Sequence, residues 1–207
     1  LPYDSVKASC QPLVTAVSNN DFKDLLKGVR GHDNYSYVHS LRVATLLSMF
    51  GTTIGIKGDD LLTLATGGLL HDVGKMSIPH TVLNKPGKLE GNEWDMMKSH
   101  VSNTVIFLEN SPDMPRGVMT IASQHHEKLD GTGYPAGIKG GDLNDLARMA
   151  TIADIFSALT DRRVYKDPMP PEKALAIMTD MKDGVDQHFL MLFQAMLMDA
   201  ASGLDDP

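Results

Sequence analysis

The sequence predicts an all-α domain whose helices are interrupted by two long, shaped loops. Three observations lead there. Apolar residues recur with helical spacing along nearly the whole chain, and alternation with a period of two never persists for the length of a strand. Glycine and proline concentrate in two stretches, 74–90 (GKMSIPHTVLNKPGKLE) and 128–142 (KLDGTGYPAGIKGGD), which are too rich in both to continue a helix.

In chain order, the periodicity places helices over 4–18, 21–28, 34–50, 59–73, 92–109, 115–127, 143–160, 171–182 and 186–200. Asn34 is placed to cap the third helix, and Pro171 suits the first turn of the eighth. Loops as long as the two between them are uncommon in compact domains and usually functional. There is no internal repeat and no low-complexity tract. A short helical segment over 1–30 is expected to lead into a catalytic domain over 31–207.

Composition narrows the function. With 207 residues, 42% of them hydrophobic, the chain can bury a sizeable core, which excludes disorder for most of it. Lys+Arg 19 against Asp+Glu 26 gives a net charge of −7, and this argues against a nucleic-acid polymer as partner, since such binding rests on cationic neutralisation of phosphates. Cys10 is the lone cysteine and can form neither an internal disulfide nor a thiolate metal site, which suits a reducing cytoplasm. No apolar run approaches the roughly 18 residues of a membrane span, and no signal pattern opens the chain. It starts at Leu1 rather than Met, so a fragment of a longer protein is expected, with membrane or sensor segments outside it.

The informative polar residues are those on apolar helix faces. His39 lies in line with Val43, Leu46 and Phe50. His71-Asp72 ends the apolar segment LLTLATGGLLHD, where Gly67 and Gly68 permit close approach of a neighbouring helix. His100 follows Met96 and Met97 and precedes Thr104 and Phe107; His125 falls in line with Val118, Ile121 and Ala122; Asp154 is framed by Ala147, Ala150 and Ala158. A single buried histidine is ordinarily satisfied by a backbone carbonyl. That explanation weakens for His39, His71, Asp72, His100, His125, His126 and Asp154 together, drawn from five helices. Burying carboxylates without a cation costs several kcal/mol, whereas a shared divalent metal accommodates carboxylates and neutral imidazoles alike. The adjacent pairs His71-Asp72 and His125-His126 suit two ions better than one, with a bridging carboxylate. Ions about 3.5–4 Å apart activate a water and clamp a phosphoryl oxygen. Oxygen and imidazole donors without sulfur favour Fe, Mn, Ni, Co or Zn.

Two familiar motifs fail. A phosphate-binding loop would need glycine at Leu69 and Ser or Thr at Met76, and a zincin helix would need histidine at Asp130. The segments YSYVHSLRVA (35–44), GLLHDVGKMSIP (68–79), LNKPGKL (83–89), EWDMMKSH (93–100), HHEKLDGTGYPAGIKG (125–140), IADIFSALTDRRVYK (152–166) and GVDQHF (184–189) do, however, closely resemble the HD-GYP family, a branch of the HD phosphohydrolase superfamily. The resemblance implies an HD-superfamily helical bundle with a metal centre between its helices. It implies hydrolysis of the bacterial second messenger cyclic di-GMP to pGpG, GMP or both, through a hydroxide activated by two metals. The seven residues above match the family's metal ligands. Lys75 resembles the lysine at the scissile phosphate, so Asp72 and Lys75 are the candidate catalytic residues, and Arg163 and Lys166 match positions that hold substrate phosphates. Tyr134 of the GYP loop (Asp130, Gly131, Gly133, Tyr134, Pro135) is a candidate contact to substrate or a partner domain, beside a purely structural role for that loop.

Three departures matter. Some relatives carry a glutamate four residues before the first histidine ligand and bind a third metal; Tyr35 stands there, so two divalent transition-metal ions are expected, Fe or Mn ahead of Ni, Co or Zn. Ser157 replaces an aspartate common in relatives, with looser support of a ligand expected, and Val101 replaces a common proline. The alternatives are hydrolysis of pGpG or another nucleotide, and a slow or inactive cyclic di-GMP-binding regulatory module. His32, His80 and His188 read as surface or supporting groups, and Trp94 as a packing anchor. Met191, Met196 and Met198 fill core gaps, or face a second copy of the chain or a partner signalling domain.

Overall fold

The computed structural model of the chain describes residues 3–4, 7–8, 10–11, 15, 35–111, 113–162 and 167–202. The described residues between 3 and 15 are helical, and Cys10 among them is buried in the same core as α2 below. The helix expected over 21–28 and the cap expected at Asn34 lie outside the described residues.

From residue 35 the chain forms α1 (Tyr35–Thr53), α2 (Gly58–Leu70), a 3-10 turn (Val73–Ser77), the single-turn α3 (His80–Leu83), α4 (Asn92–Glu109), α5 (Arg116–Gln124), α6 (Asp145–Thr160), α7 (Pro171–Asp180) and α8 (Gln187–Ser202). Among the described residues there is no strand, and a single bridge pairs Asp130 with Lys139. Among the described residues from 35 on, every helix expected from the periodicity is present, and Pro171 does open α7; the 3-10 turn and the single-turn α3 fall within the stretch 74–90 that the sequence reads as loop. Two ends differ in a way that matters: α2 stops at Leu70 rather than 73, and α5 at Gln124 rather than 127. Both stop just before a His-containing pair.

α1 packs along α2 and also against α6; α2 meets α5, α4 meets α5 and the 3-10 turn, and α7 and α8 close the side formed by α1 and α6. Small residues set the central crossings. A Cβ on Gly68 would lie 2.7 Å from Ala44 Cα in α1, and one on Gly67 would lie 2.4 Å from Ile121 Cδ1 in α5. The glycines thus let α2 touch two neighbours, and those contacts fix the exit direction of the chain at His71. At the other end of α1, Phe50 packs edge-on with Phe193 and Phe189, and Phe193 with Phe156. His39 stands eleven residues from Phe50, about 16 Å along the axis at 1.5 Å per residue. The aromatic core and the polar cluster therefore occupy opposite ends of one rigid helix.

Met196 is buried in the core, whereas Met191 and Met198 are exposed on α8, so the methionine-rich helix serves the core by one face alone. Trp94 is 45% exposed and does not anchor the core, contrary to the sequence expectation. Among the described residues, no helix is long and apolar enough to cross a membrane.

Candidate metal centre

The bundle brings all seven candidate ligands to one place and sorts them into two groups. Asp72, His100, His125 and His126 offer ligand atoms within 4.8 Å of one another, and His39, His71 and Asp154 do the same. All are buried except His126, which is half-buried.

Local backbone explains how adjacent residues serve one site. His71 closes α2 in helical conformation, and Asp72 leaves it at φ −109 and ψ 9 to start the 3-10 turn. His125 likewise closes α5, leaving His126 beyond the helix. Continuous helices would have splayed each pair about 100° apart.

Each ring is held from behind. The Nδ1–H groups of His71 and His100 donate to the carbonyls of Gly68 (2.7 Å) and Met97 (2.6 Å). That of His125 donates to Ile121 and Ala122 (3.2 and 3.1 Å), and that of His39 to Asp161 Oδ2 (3.1 Å). A carbonyl can only accept, so Nδ1 carries the proton and Nε2 turns into the cluster. There the buried Nε2 atoms of His71, His100 and His125, and Oδ1 of Asp72, make no hydrogen bond. Buried polar atoms without partners cost about 1–3 kcal/mol each. A divalent cation would serve all of them at once, so the donor set fits a metal centre.

The Asp72 carboxylate divides between the groups. Oδ1 faces His100 Nε2 at 3.1 Å and His125 Nε2 at 3.7 Å; Oδ2 faces His71 Nε2 at 3.3 Å and His39 Nε2 at 3.9 Å. Asp154 spans them from the other side, with Oδ1 2.9 Å from His39 Nε2 and Oδ2 3.8 Å from His126 Nδ1.

Among the protein groups alone, the charges are strongly coupled. Burial opposes ionisation of Asp72, yet Lys75 and His71 hold its carboxyl well below the usual range; His39 and His71 do the same for Asp154 against burial. Burial would lower the His71 imidazole, but Asp72 and Asp154 push it up to about 10. Burial drives His125 and His126 down, and for His126 the neighbouring His125 adds to it. Neutral His125 and His126 beside ionised carboxylates are in the protonation states that metals take, whereas His71 would give up its proton to a metal that replaced it between Asp72 and Asp154.

Lys75 reaches the cluster from the 3-10 turn and ion-pairs with Asp72 Oδ2. Gly74 makes this reach achievable: its N–H donates to Thr104 Oγ1 at 2.9 Å, and a Cβ there would fall 2.2 Å from the His100 carbonyl oxygen. Arg163 and Lys166 lie outside the described residues.

The second loop folds back onto the cluster. Glu127 is fully buried, and its carboxylate accepts the N–H groups of Ala136 (2.7 Å), Gly137 (3.1 Å) and Ile138 (3.0 Å). Gly133 packs so close that a Cβ would lie 2.5 Å from Glu127 Cα. This lays the Tyr134 ring over His126, centroids 4.7 Å apart and planes tilted by 30°. Trp94 at the start of α4 meets Tyr134 edge-on at 6.0 Å. An aromatic wall thus runs from the cluster to solvent.

Sequence reasoning missed Glu127, Asp161 and the exposure of Trp94. It also expected Ser157 to loosen its surroundings, but the Ser157 hydroxyl donates to Asp161 Oδ2 at 2.9 Å, one helical turn on. A carboxylate therefore still stands behind His39.

Comparison with known proteins shows the family to which the chain belongs. A 3'3'-cGAMP-specific phosphodiesterase of Vibrio cholerae is 38% identical over 87% of this chain and 37% of its own length. A cyclic di-GMP phosphodiesterase of Pseudomonas aeruginosa is 32% identical over 78% of this chain and 39% of its own length. The chain thus spans under half the length of these curated relatives. In structure it is similar to an HDG"Y"P protein of Bdellovibrio bacteriovorus, with a TM-score of 0.70 and 20% identity over 93% of this chain and 68% of that one. The sequence pattern of the HD domain matches residues 24–188, which take in every candidate ligand, and the chain belongs to the HD domain family.

Proposed function

We propose that this chain is a metal-dependent phosphodiesterase that opens cyclic di-GMP to pGpG, GMP or both, using two divalent transition-metal ions. The observation that carries the reading is the Asp72 carboxylate, which turns one oxygen to each half of the ligand cluster. His39, His71 and Asp154 would hold one ion and His100, His125 and His126 the other, with Asp72 between. Where some relatives place a third-metal glutamate, Tyr35 stacks on His39, centroids 5.8 Å apart, which supports two ions. Donors without sulfur favour Fe or Mn, then Ni, Co or Zn.

When bound, the metal pair supplies a water nucleophile at neutral pH and polarises a phosphoryl oxygen. The chain's own residues do the rest. Lys75, ion-paired with Asp72 at the edge of the cluster, would stabilise the charge that develops on the scissile phosphate or on the leaving oxygen. Arg163 and Lys166 neutralise the substrate phosphates, a need imposed by a dianionic ligand entering a protein of charge −7. Trp94 and Tyr134 offer faces for a purine base, and Glu127 holds the loop that carries Tyr134.

The names of the relatives support a cyclic dinucleotide as the substrate class. The 38% match to the 3'3'-cGAMP-specific enzyme favours that molecule as a second reading. The test is elemental analysis of protein purified without added metal, followed by side-by-side incubation with cyclic di-GMP, 3'3'-cGAMP and pGpG. Near two metals per chain, with cyclic di-GMP consumed fastest, is the expected result. Faster loss of 3'3'-cGAMP replaces the substrate, and binding without product overturns the enzyme.

A further inference from the structure

Asp161 lies outside the seven-residue cluster but is bonded to it. It is the residue just past α6, its N–H bonded to the Ser157 carbonyl at 2.8 Å and its side chain buried. Oδ2 accepts from His39 Nδ1–H at 3.1 Å and from the Ser157 hydroxyl at 2.9 Å. Ser157 Oγ is itself 3.2 Å from His39 Nδ1, so the imidazole N–H faces a hydroxyl and a carboxylate together. The other carboxylate oxygen is ion-paired with Arg42, which also donates to Thr160 Oγ1 at 3.1 Å.

Nothing in helix stability asks for a carboxylate here. Negative charge at a helix C-terminus is unfavourable, and burying it costs several kcal/mol more. Arg42, one turn from His39 on α1, offsets that cost. What the arrangement secures is His39: an acceptor facing Nδ1–H fixes the ring and leaves Nε2 aimed at Asp154, 2.9 Å away. His71, His100 and His125 are held through Nδ1 by backbone carbonyls, whereas His39 is held by a carboxylate.

We infer that Asp161 is the positioning residue for the His39–His71–Asp154 half of the centre, and that positions 157 and 161 are exchangeable. A carboxylate at either, one turn apart on the same face, reaches His39 Nδ1. The inference rests on the metal-centre reading above. Carboxylates behind metal-binding imidazoles typically contribute 10–100-fold in affinity.

The test uses Mn²⁺ titrations of the full chain as wild type, Asp161→Ser, Asp161→Asn and Ser157→Asp/Asp161→Ser. Wild type is expected to bind two ions. Asp161→Ser should weaken one of them about 10–100-fold and leave the other nearly unchanged. The double variant should recover most of that loss, which a merely structural role for Asp161 would not produce. Asp161→Asn keeps the shape and an acceptor, so it folds even if the serine variant does not, and it should also weaken one ion. Unchanged Mn²⁺ affinity in Asp161→Asn, or no recovery in a folded double variant, overturns the inference. A wild-type chain that takes up no Mn²⁺ overturns the metal centre itself, a failure visible before any variant is made.

Discussion

Lys75 is ion-paired with the Asp72 carboxylate oxygen that faces His71 and His39. Its ammonium is therefore held at the edge of the ligand cluster, and Asp72 and Asp154 favour its charged form against the effect of burial. Lys75 donates no ligand, so its loss should separate catalysis from metal binding. Lys75→Met keeps the stem and removes the charge. Turnover at saturating cyclic di-GMP should fall about 10²–10³-fold, the usual effect of deleting one stabilising donor, with metal content still near two per chain. Loss of metal in this variant would instead make Lys75 a support for Asp72.

Asp72 is predicted to behave differently because both halves of the cluster share it. Asp72→Ala removes one oxygen from each. Metal content should drop well below one ion per chain and hydrolysis should disappear, while far-ultraviolet circular dichroism stays that of the wild type. The helices keep their form because the apolar contacts of α2, with Gly68 against Ala44 and Gly67 against Ile121, do not involve the carboxylate. Wild type stripped with a chelator should match the variant and recover when metal is returned. A metal-depleted Asp72→Ala protein with full activity would sink the mechanism.

The residues of the cluster were legible in the sequence for a physical reason. A histidine or aspartate in line with Val43, Leu46 and Phe50, or with Val118, Ile121 and Ala122, contradicts its apolar face, and that contradiction survives without coordinates. The longer helices from residue 35 on were legible for the same reason, since the periodicity there is long and regular, whereas the single-turn α3 fell in a stretch that reads as loop. Helix ends were not legible. The breaks after Leu70 and Gln124 depend on how α2 and α5 pack, and the residues there have no helix-stopping character. Asp161 was hidden because a polar residue after a helix reads as solvent-exposed, and only the fold brings α1 alongside to supply Arg42 and His39. Glu127 was hidden because its partners are backbone N–H groups nine to eleven residues away in a loop without periodicity.

Glu127 gives a prediction about stability. Its carboxylate accepts three backbone N–H groups, Oε1 taking Ala136 and Gly137 and Oε2 taking Ile138. Glu127→Gln keeps one acceptor and sets an amide NH₂ against a remaining N–H, leaving donors facing each other in a buried place. The cost should be on the order of 1–3 kcal/mol, seen as a lower denaturation midpoint. Amide exchange should accelerate at residues 136–138 ahead of the helices. Tyr134 loses its fixed position over His126 at the same time, so KM should rise. Unchanged exchange at those three amides would mean that the loop is held by Gly133 and its packing instead.

Trp94 tests the substrate reading without touching a metal ligand or the core. The ring is 45% exposed at the start of α4, leans edge-on against Tyr134 at 6.0 Å, and so presents a free face beside the cluster. Exposing a large apolar ring has no benefit for folding, and stability should change little when it is removed. A base stacked on an aromatic side chain is worth about 1–3 kcal/mol, which converts to roughly 5- to 150-fold in affinity. Trp94→Ala should therefore raise KM for cyclic di-GMP by a factor in that range with kcat nearly unchanged, and Trp94→Phe should recover most of it. A small phosphodiester without any aromatic ring, such as dimethyl phosphate, should be hydrolysed equally by wild type and variant. Equal losses on both substrates would place Trp94 in support of the GYP loop, because a stacking platform acts only on a ligand that has a base to stack.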